Sequence, residues 1–175
     1  MPDVVANLPK AIAVRIVEQL REKLDMDDSN CYVAAFTTWV EGSQHDKIVQ
    51  VVPSESSPWP GGDGAQEGGE LIRLQTYTIG IWFVSQMDPH QMTEHALVEL
   101  SDGVLDFCER VRTMLTGADL GFSQQCEQMR FRSESAVQVI EDDFVKLFRT
   151  LMFAVPYAVP LVVDGETIDV STTDE

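Results

Sequence analysis

The chain has 175 residues, 29 Asp and Glu against 12 Lys and Arg, a formal net charge of -17, and 44% hydrophobic residues. A chain of this length and composition builds a single core, and its apolar residues are too many and too regularly placed for disorder. No run of about 20 apolar residues is present to span a membrane, and the acidic balance excludes generic attachment to nucleic-acid phosphates or anionic lipid.

Met1-Pro2-Asp3 opens without a basic region or a small-residue cleavage site, so no signal peptide is expected. Cys31, Cys108 and Cys126 are odd in number and far apart, with no CxxC pair. They predict reduced, mostly buried thiols in a cytosolic setting.

Residues 8–24 predict an amphipathic helix, because Ile12, Ile16, Leu20 and Leu24 recur every four residues. Asn7 is placed to cap it and Pro9 suits its first turn. The polar run from Asp25 to Asn30 ends it. Residues 31–40 are rich in β-formers and predict a strand, 41–46 a hairpin loop, and 47–52 a second strand.

Residues 53–69 change character. Pro53, Pro58 and Pro60 mix with Gly61, Gly62, Gly64, Gly68 and Gly69, which predicts a long flexible loop. Residues 70–85 predict a long strand, amphipathic near its start and apolar on both faces near its end. One end is therefore expected in solvent and the other covered on both sides.

Asp88-Pro89-His90-Gln91 has the spacing of a capped helix start. Leu97, Leu100, Val104, Phe107, Val111 and Leu115 then form one stripe, and Gly117 is a natural stop. Gly103 costs about 1 kcal/mol relative to Ala, so a break or a close packing contact is expected there. Residues 125–134 predict a partly exposed strand, Glu141-Asp142-Asp143 a turn, and 144–155 another long strand. Pro156 and Pro160 are expected to limit further central pairing. Residues 164–175 carry five acids and no base and predict a disordered tail.

The expected fold class is α+β: a bent, largely antiparallel sheet of four to five strands with two helices packed on one face, forming one domain over 1–163. The strand at 70–85 spans roughly 50 Å unbent, against a globule about 40 Å across. Either the sheet bends, or strand ends project toward another copy or a partner, or a bulge near Gly80 splits the strand.

The chain offers little catalytic chemistry. His45, His90 and His95 lack zinc-ligand spacing, so no metal is expected. Gly61-Gly62-Asp63-Gly64 is not followed by Lys-Ser/Thr and supplies flexibility rather than a phosphate cradle. The run from Asp25 lacks the glycine and glutamate of a calcium loop, Phe36 standing at the twelfth position. Glu141, Asp142 and Asp143 read as solvated turn acids. Arg130 and Arg132, two apart on one strand face, suit acids of a neighbouring subunit or of this chain. Trp59, between Pro58 and Pro60, either folds back on the core or anchors a partner. No catalytic residue and no cofactor is expected.

The order helix, strand pair, long loop, long strand ending Ile81-Trp82-Phe83-Val84, long helix, and final strand Phe144 to Tyr157 resembles the tail terminator proteins of long-tailed bacteriophages. These are also called tail-completion or tail-to-head joining proteins. The resemblance covers roughly residues 8–160. It implies a virion protein of the tail and neck, assembled in the host cytoplasm, that forms a homo-oligomeric ring, usually a hexamer. The ring caps the major tail tube protein and joins the tail to the head connector or stopper. DNA passes its lumen without sequence-specific binding, and no enzyme activity or membrane is involved. On that reading the loop at 53–69 with Pro58, Trp59 and Pro60, the strand ends near Trp82 and Phe153, and Arg130 and Arg132 make intersubunit contacts. Another neck component such as a head-tail stopper, a small-molecule-binding α+β domain or enzyme with a pocket under the 53–69 loop, and a monomeric adaptor are the alternatives.

Overall fold

The computed structural model describes residues 7–39, 45–58, 71–122, 125–159, 162–163 and 166–167. Helix α1 spans Leu8–Leu24, capped by Asn7, whose side chain accepts from Lys10 N–H. It ends at Asp25, which takes a left-handed φ of 55°. Strands β1 (Cys31–Val33), β2 (Lys47–Pro58) and β3 (Leu71–Val84) follow. A short 3-10 turn (Pro89–Gln91) precedes α2 (Glu94–Leu115). Strands β4 (Arg130–Glu134), β5 (Gln138–Glu141) and β6 (Val145–Val159) complete a six-stranded sheet ordered β1-β2-β3-β6-β4, with β5 also on β6. The fold is α+β as expected, with six strands rather than four or five.

Both helices lie on one face. Ile12, Ile16 and Leu20 of α1 and Val104, Phe107, Val111 and Leu115 of α2 share a core with the odd-numbered Tyr77, Ile79, Ile81 and Phe83 of β3. Leu147, Leu151, Phe153 and Val155 of β6 join them from the same side of the sheet. Alternation along each strand explains the selection, since every second side chain points to one face. Tyr77 fastens the sheet to α1, its hydroxyl donating to the Pro9 carbonyl at 2.7 Å.

Several local expectations are corrected. Of residues 31–39 only Cys31–Val33 is a strand, and it runs parallel to β2, so the two strands form no hairpin; residues 40–44 of the expected strand and loop lie outside the described residues. After Val33 the chain leaves the edge and residues 34–39 cross the opposite sheet face as a strap. The β-rich composition yields there to burial of Trp82 beneath Trp39. Residues 53–58, expected as loop, continue β2 against β3; residues 59–70 lie outside the described residues. Register irregularities fall between Phe131 and Ser133 of β4 and between Pro53 and Ser56 of β2, not at Gly80. Proline lacks the N–H that a ladder requires.

α2 begins five residues later than a cap at Asp88 would place it. Asp88 caps only the 3-10 turn, accepting from His90 N–H at 2.9 Å, and Thr93 caps the helix through Ala96 N–H at 3.1 Å. Of 125–134 only Arg130–Glu134 is a strand, with Cys126 forming one bridge to Tyr157. β5, unforeseen, pairs antiparallel to β6, and the expected turn at 141–143 joins them. Pro156 does not stop β6, which pairs with β3 on to Val159. The tail expected to be disordered contains Glu166–Thr167, which pairs with Val162–Val163 as a two-stranded ribbon of β7 and β8; the rest of it lies outside the described residues.

Two glycines separate close approach from mere permissiveness. A Cβ at Gly80 would lie 2.6 Å from Thr37 Cγ2 of the strap, whereas one at Gly103 would meet Phe83 Cε2 at 3.6 Å, an ordinary contact. Gly103 thus marks a packing contact in an unbroken helix. Gly80→Ala is expected to destabilise the fold by about 1–3 kcal/mol through overpacking. Gly103→Ala should stabilise it by about 0.5–1 kcal/mol through lower chain entropy. Urea unfolding followed by tryptophan fluorescence measures both, and equal effects of the two substitutions would refute the strap contact.

Candidate functional site

The helix-free face of the sheet has a built centre. β2 reads Lys-Ile-Val-Gln-Val-Val from Lys47, and the one uncharged polar residue of that stretch, Gln50, is 1% exposed. Alternation points Gln50 away from the core that holds Val49 and Val51. Its amide donates to the Thr38 carbonyl at 2.6 Å and the Tyr32 hydroxyl at 3.0 Å. Its carbonyl oxygen accepts from Thr38 N–H and Trp82 Nε1–H, each at 3.1 Å. One side chain therefore holds the strap, β1 and the Trp82 ring together. Trp82 packs on Phe148 at 4.2 Å between centroids and on Trp39 at 5.8 Å.

Beside it Lys146 is 5% exposed. Its ammonium donates to both carboxylate oxygens of Asp142, at 2.8 and 2.6 Å, and stands 4.9 Å from the centre of the Trp39 ring. A buried cation needs this pairing, since an unpaired one would lose its proton or destabilise the fold. The Lys146 hydrogen bond, with help from Phe144 N–H, holds the Asp142 carboxyl below its ordinary value of 3.8. Among the described residues no buried side-chain N or O lacks a hydrogen-bond partner. The arrangement is a satisfied polar knot that fixes the strap.

The structure scatters the residues expected at intersubunit contacts. Trp82 is corrected to a buried member of this knot, and Phe153, fully buried on the helix side, to a core residue packed edge-on against Phe131. Neither is available to a neighbour, because in-chain burial of large aromatics is more favourable than leaving them exposed. Pro58 is exposed at the end of β2, while Trp59 and Pro60 lie outside the described residues. Arg130 and Arg132 are exposed on β4, and Arg130 pairs with Glu127 of its own chain. Asp142, expected to be merely solvated, is the partner of Lys146. Sequence reasoning missed the knot. Its signal was Gln50, a single amide inside an otherwise apolar stretch.

Of the loop expected to cover a pocket, 53–58 is strand and 59–69 lies outside the described residues. A cavity of about 440 Å³ lies elsewhere, between Asp119, Leu120 and the 126–130 segment. It holds Cys126, whose thiol is pushed up to about 11 by burial and by the charge of Asp119. Burial likewise raises Cys31 and Cys108 to about 11. Among the described residues no group of three or more His, Cys, Asp or Glu could hold a metal, and no helix is long and apolar enough to cross a membrane. No protein-family model matches the chain, and no curated protein matches it.

Gln50→Leu keeps the volume and strands the Tyr32, Thr38 and Trp82 groups, so it is expected to cost about 2–3 kcal/mol. Thermal unfolding measures this; a neutral result would show that water replaces the amide. The depressed Asp142 carboxyl contributes stability that is complete above 3.8 and is lost as the pH falls through its lower folded-state value. Asp142→Asn should flatten that acid limb in urea titrations from neutral to strongly acidic pH.

Proposed function

We propose that this chain is a structural virion protein, a tail terminator that forms a ring on the end of the tail tube and joins the tail to the head connector. The observation that carries the reading is the architecture. Two helices cover one face of a sheet built on three long strands, in the element order that resembles this family. Residues 34–39 cover the apolar part of the opposite face, and the sheet edges are left for neighbours. Ser54–Pro58 at the end of β2 are all exposed, and β4 presents Arg130 and Arg132 along the far edge. A heterologous contact between such unlike edges generates a closed ring when the rotation between copies permits it. The role is mechanical: surfaces shaped to the last ring of tube subunits stop its growth without covalent chemistry.

The charge fits a ring only under a constraint. Six copies carry about 100 excess negative charges, which repel unless they face solvent, the lumen or basic partners. An acid-lined lumen would let DNA slide without adhering.

Particles assembled without this protein are expected to carry tails of uncontrolled length in electron micrographs; tails of normal length would overturn the proposal. Purified protein should give a ring mass by light scattering at physiological salt, alone or when mixed with tail tubes. Arg130→Glu with Arg132→Glu should shift it toward monomer while leaving the circular dichroism spectrum unchanged.

A further inference from the structure

Over Glu94–Glu109, ahead of Arg110 and Arg112 in its last turns, the solvent face of α2 combines exposed apolar residues with acids alone. Residues 94–109 carry five acids, Glu94, Glu99, Asp102, Asp106 and Glu109, and no Lys or Arg. In their midst Val98 is 51% exposed and Leu105 43%. At 100° and 1.5 Å per residue these two lie almost in line, about 10.5 Å apart, with Glu94, Asp102 and Glu109 within about 80° of arc around them.

Packing beneath this face is uneven. Every fully buried residue of α2, from Val104 to Leu115, lies in its C-terminal part, and none precedes Val104. Leu97 and Leu100 are only partly buried against the core. The acids are weakly compensated within the chain. Glu99 pairs with the exposed His95 and Glu109 with Arg112, while Asp102 and Asp106 repel one another at helical i,i+4 spacing. α1 shows how differently the same chain treats its other helix. Its exposed side mixes Lys10, Arg15 and Lys23 with Glu18 and Glu22, and Arg15 pairs with Glu18. Val14 sits in that mixed surface at 42% exposure.

We propose that the outer face of α2, from Glu94 to Glu109, is a docking surface for a basic amphipathic segment of another protein, with Val98 and Leu105 as its apolar anchors. Charge complementarity selects this occupant. A partner bearing Lys or Arg around two apolar side chains relieves the repulsion among the acids and covers both anchors. A second copy brings another net charge of -17 and the same acidic stripe. Such a contact is steered by long-range attraction, and its affinity rests on the central apolar residues. It does not depend on the tail reading: uncontrolled tail length and α2 docking are read by separate experiments, and either can fail alone.

The test uses the full chain and three synthetic 18-residue peptides: an amphipathic Leu/Lys helix, the same composition shuffled to destroy the apolar face, and a Leu/Glu helix. The Leu/Lys helix is expected to bind, with amide chemical-shift changes centred on residues 94–109, and the other two to bind at least about tenfold more weakly. Val98→Ser with Leu105→Ser should weaken binding by about tenfold or more, and Asp102→Asn with Asp106→Asn should weaken it and reduce its salt dependence. Val14→Ser should leave it unchanged. These positions are exposed, so the variants keep the fold. Absence of binding, equal binding of the shuffled peptide, shifts spread over the whole surface, or self-association through Val98 and Leu105 would each overturn the proposal.

Discussion

β3 and β6 pair residue for residue from Leu71 against Val159 to Val84 against Lys146, with no register shift. Both helices, both sheet faces and both edges are positioned from this ladder. Because the side-chain period is two, one choice of register places Tyr77, Ile79 and Ile81 opposite Phe153, Leu151 and Arg149 on the helix side. The same choice sets Trp82 against Phe148 and Val84 against Lys146 on the other. A slip by one residue would exchange these sets, putting Gly80 and Thr78 under the helices and a tyrosine and two isoleucines outside. The apolar core makes that exchange prohibitive.

The second face is handled differently. It cannot be left bare where it is apolar, and no helix covers it. The strap at 34–39 closes it, and Gln50 is the fastening. An amide suits this position because it carries donors and an acceptor together. It satisfies the backbone of Thr38 in both directions, as a neighbouring strand would, while its oxygen also takes the Trp82 indole N–H. Gly80 belongs to the same design, since Thr37 occupies the space a side chain there would need. Asp142 completes the cover by balancing Lys146, the one cation buried beneath it among the described residues. Such networks stabilise only when every member is satisfied, and this one is.

On the surface, charge is unevenly spread. α1 mixes signs along its length, whereas α2 carries only acids from Glu94 to Glu109 and its arginines, Arg110 and Arg112, follow. β4 places Arg130 and Arg132 at one edge of the sheet, while Glu55 and the serines of β2 occupy the other. The bulge after Pro53 and the proline at 58 blunt that second edge against indiscriminate pairing. A chain arranged this way has polarity: its edges and its helical face differ in charge and shape. Such differences suit directional assembly and discrimination among partners.

Much of this was legible in the sequence. The four-residue recurrence of Ile12, Ile16, Leu20 and Leu24 and the stripe from Leu97 to Leu115 determined both helices. The double-sided apolar end of the 70–85 run determined that one end of β3 is covered on both faces. The α+β class followed from the order of elements. These are local signals, carried by periodicity and by the chemistry of caps. What covers the second face could not be read locally. Residues 34–39 have strand composition and became a strap, because burying Trp82 and answering Gln50 outweigh β-propensity, which is itself mostly a preference for half-buried surface. Trp82 and Phe153 looked like contacts for a neighbour because sequence tells how apolar a residue is, not which surface within the chain is already there to bury it. Pairing register, the parallel return of β1, and the meeting of Lys146 with Asp142 join segments far apart or across a turn. Only tertiary structure decides them, because each depends on which faces remain uncovered once the long ladder has formed.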